Sequence, residues 1–190
     1  MTLQPLTKEE FEALLPEEKR IRLAQDILAH LSLPKEQQRL VMDGSCYLEL
    51  YFWDSAYYLL DKNKTADLQT ALQQSPEPCH VCAKGAFFAI RALNYDNARI
   101  SQSACSNKFS ETAGSLFVKL GDFFSREQLD LMENAFEGCR MNGNGGIYSW
   151  AARMYHGEPS YIVRMQKICE NLIDNRGTFV VPEILDEDWQ

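Results

Sequence analysis

The segment Cys79-His80-Val81-Cys82-Ala83-Lys84-Gly85-Ala86 constrains this chain more than any other. Pro76 and Pro78 lie just before it, and the nearly continuous apolar run Phe87 to Leu93 follows. Proline fixes φ and lacks an amide donor, so regular structure restarts after it. Small residues admit a close neighbour, and an apolar run of that length has to be covered on most sides. The layout predicts a buried central helix from about Cys79 to Leu93, with Cys79 and Cys82 on one face of its small-residue first turn.

The same cysteine pair is where metal or redox chemistry could be assembled. Cys79-x-x-Cys82 has zinc-like spacing, and Cys105 or His156 could complete a site. Structural zinc, however, takes four ligands, typically from two such pairs. The chain has a single pair and three histidines, His30, His80 and His156. Close helix packing needs the same small residues and is the simpler reading. A thioredoxin-like role would use the helix dipole to stabilise a thiolate. It also requires a strand before the pair, whereas Gln73 to Pro78 reads as a polar loop.

The 190-residue length suits one domain, residues 1–190. A flexible joint is expected at 142–146 (Asn-Gly-Asn-Gly-Gly), before a C-terminal helical pair. No stretch approaches the roughly 18 consecutive apolar residues of a membrane span. Met1 to Glu10 carries neither a basic nor an apolar signal region, so a cytoplasmic location is expected. The six cysteines are scattered through apolar stretches, which in a reducing compartment implies free, buried thiols. The net charge of −8 opposes a nucleic-acid surface, since phosphate binding needs Lys and Arg.

Helix signals are strong at several places. Thr7-Lys8-Glu9-Glu10 is a capping box opening a short helix over 8–15. Pro16 with Glu17 and Glu18 restarts the chain in a favoured first turn. Ile21, Ala24, Ile27, Leu28 and Leu31 then give an amphipathic helix to Leu31. Residues 39–53, rich in aromatic and β-prone types after Asp43-Gly44-Ser45, read as strand. A short helix is expected to start at Thr65 or Asp67 and end near Gln74. Ser110 to Leu120 reads as a helix. Ser125-Arg126-Glu127-Gln128 is a second capping box, opening a helix over 126–137 that stops at Gly138, with Phe124 and Leu129 as a hydrophobic staple. Helices at 148–156 and 159–174 follow, and 178–182 is extended. The fold class is therefore α+β, mainly α: a helical domain with a minor β element.

No catalytic set emerges. There is no Gly-x-Ser-x-Gly elbow. The acid pairs Glu9-Glu10 and Glu17-Glu18 complement helix dipoles. The glycine loop 143–146 precedes a helix but lacks the Lys-Ser/Thr of a phosphate loop. Arg91, Arg99, Arg153 and Arg164 suit ion pairing or an anionic ligand. Tyr47, Tyr51, Phe52, Trp53, Tyr57 and Tyr58 exceed what one strand face can bury, so some could line a pocket or interface.

Several short motifs together resemble an uncharacterised family of small, mainly helical proteins common in phage and bacterial genomes. They are Arg22 to Leu28, Gly44-x-x-Tyr47, Cys79-x-x-Cys82-Ala83-x-Gly85-Ala86, Phe124-Ser125-x-x-Gln128-Leu129 with Phe136-Glu137, and Asn171 to Phe179. The resemblance implies no activity; a phage-type origin implies a host-interaction or anti-defence role. The expectation is a non-enzymatic binding protein acting on a protein partner, without cofactor, nucleic acid or membrane, and with oligomeric state open. One alternative is sequestration of an anionic small molecule such as a nucleotide signal. Another is a zinc-stabilised module at Cys79 and Cys82, with Cys105. The ligand-contact candidates are Tyr51, Trp53, Arg91 and Arg153.

Overall fold

The computed structural model describes residues 4–44, 48–51, 65–75, 77–95, 99–101, 108–111, 119–138 and 146–183. It is an α+β fold, mainly helical. In chain order the elements are α1 (Lys8–Ala13), α2 (Pro16–Leu31), a 3-10 turn (Lys35–Gln37), β1 (Leu40–Met42), β2 (Leu48–Tyr51) and β3 (Thr65–Asp67). Then come α3 (Leu68–Gln74), β4 (Cys79–Val81), α4 (Ala83–Asn94), β5 (Arg99–Ser101), β6 (Lys108–Glu111), α5 (Arg126–Glu137), α6 (Ile147–Arg153) and α7 (Tyr161–Asp174).

Local chemistry places most helix starts. The Thr7 hydroxyl accepts from the Glu10 amide at 3.2 Å, and Glu10 accepts from the Thr7 amide at 2.7 Å, which closes the expected capping box. Pro16 opens α2, and Glu18 accepts from the Leu15 amide at 2.8 Å. Asp67, Ser125 and Ser160 cap α3, α5 and α7 with their side chains. At Ser125 the box stays half-made. Gln128 is diverted to Phe179, donating to its carbonyl at 3.1 Å and accepting from its amide at 2.6 Å. Asn171 grips the Val180 main chain in the same way. These two amide side chains fix the extended 178–182 segment without a strand partner. Gly177 has φ +83°, and a Cβ there would meet the Glu17 carbonyl oxygen at 2.5 Å, so the turn after α7 packs directly on α2.

The main sheet has the order β1-β4-β2-β6. β1 runs parallel to β4, with Leu40 opposite Cys79, and β2 is antiparallel to both β4 and β6. β3 and β5 form a separate antiparallel pair. α4 lies on the sheet and is buried from Ala83 through Ile90. α2, α3 and α5 pack around it, and α7 lies against α2 and α5. One apolar cluster joins Phe11, Ile27, Phe87, Met132 and Phe136 to Ile168 and Phe179.

Two expectations are corrected. Cys79, His80 and Val81 form a strand, and the central helix begins only at Ala83, with Cys82 at its N-cap. β1 and β2 supply partners on both sides, so β4 gains two ladders of hydrogen bonds that a helix here would forgo. Ser110 and Glu111, expected in a helix, belong to β6 and pair with Glu49 and Leu48. Helical structure in that region is described only at Lys119 and Leu120. Residues 112–118 lie outside the described residues, as do Asn142 to Gly145 of the expected joint.

Candidate functional site

A cleft of about 720 Å³ opens between α2 and the end of α4. Small-ligand pockets commonly fall between roughly 300 and 1,000 Å³ and combine apolar walls with a few converging polar groups. This cleft does so. Leu6, Leu33, Ile90 and Leu93 supply apolar wall, and Arg22, Asp26, His30 and Tyr95 supply polar groups. Helical periodicity accounts for the first three, since positions i, i+4 and i+8 share a face. Tyr95 is delivered by the C-cap of α4, and its ring stacks on Phe11 with centroids 4.0 Å apart.

These polar groups form a network. Arg22 Nε lies 3.1 Å from Asp26 Oδ1 and 2.8 Å from the Tyr95 hydroxyl. The Tyr95 hydroxyl donates to Asp26 Oδ2. Burial pushes the Tyr95 phenol well up, and its bond to Asp26 adds to that, so it stays a neutral donor. Burial alone would lower the Arg22 guanidinium; Asp26 and Tyr95 outweigh it and hold the charge. His30 Nε2 accepts from the Arg39 amide at 3.0 Å and the Leu40 amide at 3.2 Å, tying α2 to the start of β1. Burial lowers its pKa, so the ring is neutral and its proton sits on Nδ1.

The cysteine region is built differently. Cys79 and Cys82 are both buried and form no disulfide with each other. Three residues of extended chain separate them by about 10 Å, beyond the roughly 7 Å limit for a disulfide, and alternate side chains face opposite ways. The shared helical face expected of them does not form. Burial pushes the Cys82 thiol well up, the nearby Glu133 adds to this, and the Gly85 amide and Lys84 only partly oppose it. A thiol held protonated and inaccessible is not an activated nucleophile. Among the described residues no three His, Cys, Asp or Glu side chains are grouped to hold a metal. Cys105 lies outside them.

Around Cys82 sits a largely buried ionic cluster. The fully buried Lys84 reaches Asp130 at 3.1 Å. Glu133 is 1% exposed, and neither carboxyl oxygen has a hydrogen-bond partner among the described residues. Burial raises its pKa against the pull of Lys84. Glu137, one turn further along α5, is pushed up to about 8 by burial and by Glu133, with Arg164 opposing and Asp43 adding. His80 Nδ1 faces Asp43 Oδ2 at 3.1 Å at the outer edge.

The remaining candidates are dispersed. Arg91, on α4, donates to the Lys119 carbonyl at 2.7 Å, faces Glu12 at 3.8 Å and lies over the Phe123 ring. Arg153 is half-buried at the end of α6 and does not line the cleft. Arg164 caps α5 by donating to the Phe136 carbonyl at 2.8 Å. Tyr51 lies on β2 opposite Lys108; Trp53 and the rest of its aromatic group lie outside the described residues. Sequence reasoning missed the cleft. Its one sequence signal is the Arg22, Asp26, His30 spacing along the flank of an amphipathic helix. Tyr95 gave none.

Known proteins offer no template: no family model, curated protein or solved structure matches the chain.

Proposed function

We propose that this is a non-enzymatic binding protein whose site for a small ligand is the cleft between α2 and α4. The observation that carries this reading is the Arg22 guanidinium. It is held from its Nε side by Asp26 and Tyr95, while its two terminal nitrogens have no hydrogen-bond partner among the described residues. A group fixed in place with its binding edge left over suits recognition more than structure, because a purely structural arginine satisfies its fork internally, as Arg20 does on the Gly177 and Phe123 carbonyls.

The wider expectation, a protein partner met through the aromatic segment 47–58, rests on residues of which only Leu48 to Tyr51 are described. The cleft therefore supports a small ligand better. The test is a thermal-shift screen of the full chain against a broad metabolite library, with binding sites mapped by methyl NMR. A cleft ligand raises the melting temperature by mass action and shifts the Leu33, Leu93 and Ile90 methyls. Shifts confined to other methyls, or a library without a hit, would end the reading.

A further inference from the structure

We infer that the cleft takes a monocarboxylate with an apolar body; this rests on the small-ligand reading of the same cleft and names its ligand class. The first argument is hydrogen-bond complementarity. Asp26 already accepts on both oxygens, from Arg22 and from Tyr95. Tyr95 spends its proton on Asp26. The Ser32 hydroxyl donates to the Ala29 carbonyl at 2.7 Å. The Asn94 amide can both donate and accept and the Ser32 oxygen can still accept, but the unspent groups held in place on α2 are donors. His30 accepts two main-chain amides on Nε2, so its proton is on Nδ1, which makes no hydrogen bond to the described residues. Arg22 keeps both terminal nitrogens. A site left with donors recognises acceptors.

The second argument is geometry. With Nε occupied, the guanidinium presents its end-on edge, two parallel N–H groups that match the two oxygens of a carboxylate. The third is charge. Among the described residues Arg22 and Asp26 are the only charged ones lining the cleft, so their formal charges cancel. The guanidinium is paired on its Nε side alone, and its remaining edge offers one fork, which suits one carboxylate. A nucleotide with several phosphates would need more cations than the cleft has, on a chain whose net charge is −8. The fourth is the wall: Leu6, Leu33, Ile90 and Leu93 exclude water from one side and favour an aliphatic or aromatic body.

The test uses the full chain with matched probes: octanoate, decanoate and 2-naphthoate, each beside its neutral alcohol, and ATP. Affinities come from calorimetry and positions from methyl NMR. The carboxylates should bind at least about tenfold tighter than the alcohols, with Leu33 and Leu93 methyl shifts, and ATP should not bind there. Arg22→Lys keeps the charge but loses the fork, and should weaken the carboxylates about tenfold. If that variant folds poorly, Leu33→Glu provides the second probe. Leu33 is 39% exposed, so the change is tolerated, and a carboxylate in the wall should abolish binding. Val180→Glu adds the same charge at a 43% exposed position that does not line the cleft and should leave affinity unchanged. Alcohols binding as well as acids, or ATP binding in the cleft, overturns the carboxylate assignment while the small-ligand reading stands. If no probe and no library compound moves the cleft methyls, both fall together.

Discussion

The cleft and the Lys84 cluster are both polar networks anchored on α4, and they treat polarity in opposite ways. At the cleft, Asp26 and Tyr95 are buried and Arg22 is only slightly exposed, yet their pairing leaves the terminal nitrogens of Arg22 over. Around Cys82, Lys84, Asp130 and the Glu133 carboxyl are enclosed, and among the described residues Glu133 has no donor in good hydrogen-bond geometry. Enclosed charges lose hydration, and their attraction repays it only when the pairing is complete. The first network is available for recognition. The second is committed to the fold, and one of its members is a liability.

The largest expected effect comes from breaking the enclosed pair. Lys84→Met should cost about 3 kcal/mol in urea unfolding, because Asp130 then keeps only the exposed Arg126, 3.8 Å away, as a cationic neighbour. A loss below about 1 kcal/mol would show that water reaches the cluster and the contrast with the cleft is false. Glu133→Met should behave in the opposite sense. It removes a buried carboxyl whose nearby donors are the Cys82 thiol and the Lys84 amide, neither in good hydrogen-bond geometry, so stability should hold or rise by up to about 2 kcal/mol. A clear loss in that variant would mean that Glu133 is bonded after all.

The pH dependence tests the same region. In the folded protein Glu137 titrates at about 8, against an ordinary carboxyl near 4.5. The native state therefore binds more protons between these values, and stability falls as pH rises from about 4.5 to 8. Glu133 is shifted in the same direction. Glu137→Gln should remove part of that slope and be more stable than the parent above pH 8, on the order of 1 kcal/mol once solvent screening of this half-buried group is allowed for. Parallel pH curves for the two proteins would discard the assignment.

The smallest effect should come from the cleft. Tyr95→Phe removes the hydroxyl but keeps the stack on Phe11 and the Arg22–Asp26 pair. Asp26 Oδ2 still accepts from Arg22 at 3.3 Å, so the loss should be only about 1 kcal/mol. A loss comparable to that of Lys84→Met would make the cleft network structural and remove the comparison.

Much of the fold was legible where the signal is local. The starts of α1, α2 and α5 and the glycine stop of α5 were read correctly because a cap or proline acts within one turn of chain. The strand at Cys79 to Val81 was not, because its small and apolar residues suit a helix equally well. Its ladder partners, Leu40 to Met42 and Leu48 to Glu49, lie some thirty residues or more away. Gln128 was misread for a related reason: capping is its local option, but Phe179 offers two main-chain groups that no local rule contains. The site was less legible still. Arg91 and Arg153 stand out as arginines in apolar surroundings, yet Arg22 becomes distinctive only through Tyr95, which arrives from another helix.

By itself the sequence determined the starts of α1, α2 and α5, the mainly helical class and the apolar stripe of α2, because these depend on spacing and caps a few residues apart. Only the tertiary structure decided that Cys79 and Cys82 part company, that Lys84 is enclosed with Asp130, and that Arg22 keeps a free fork beside an apolar wall. Each of those outcomes depends on groups brought together from distant chain positions, where packing and desolvation, rather than local propensity, set the free energy.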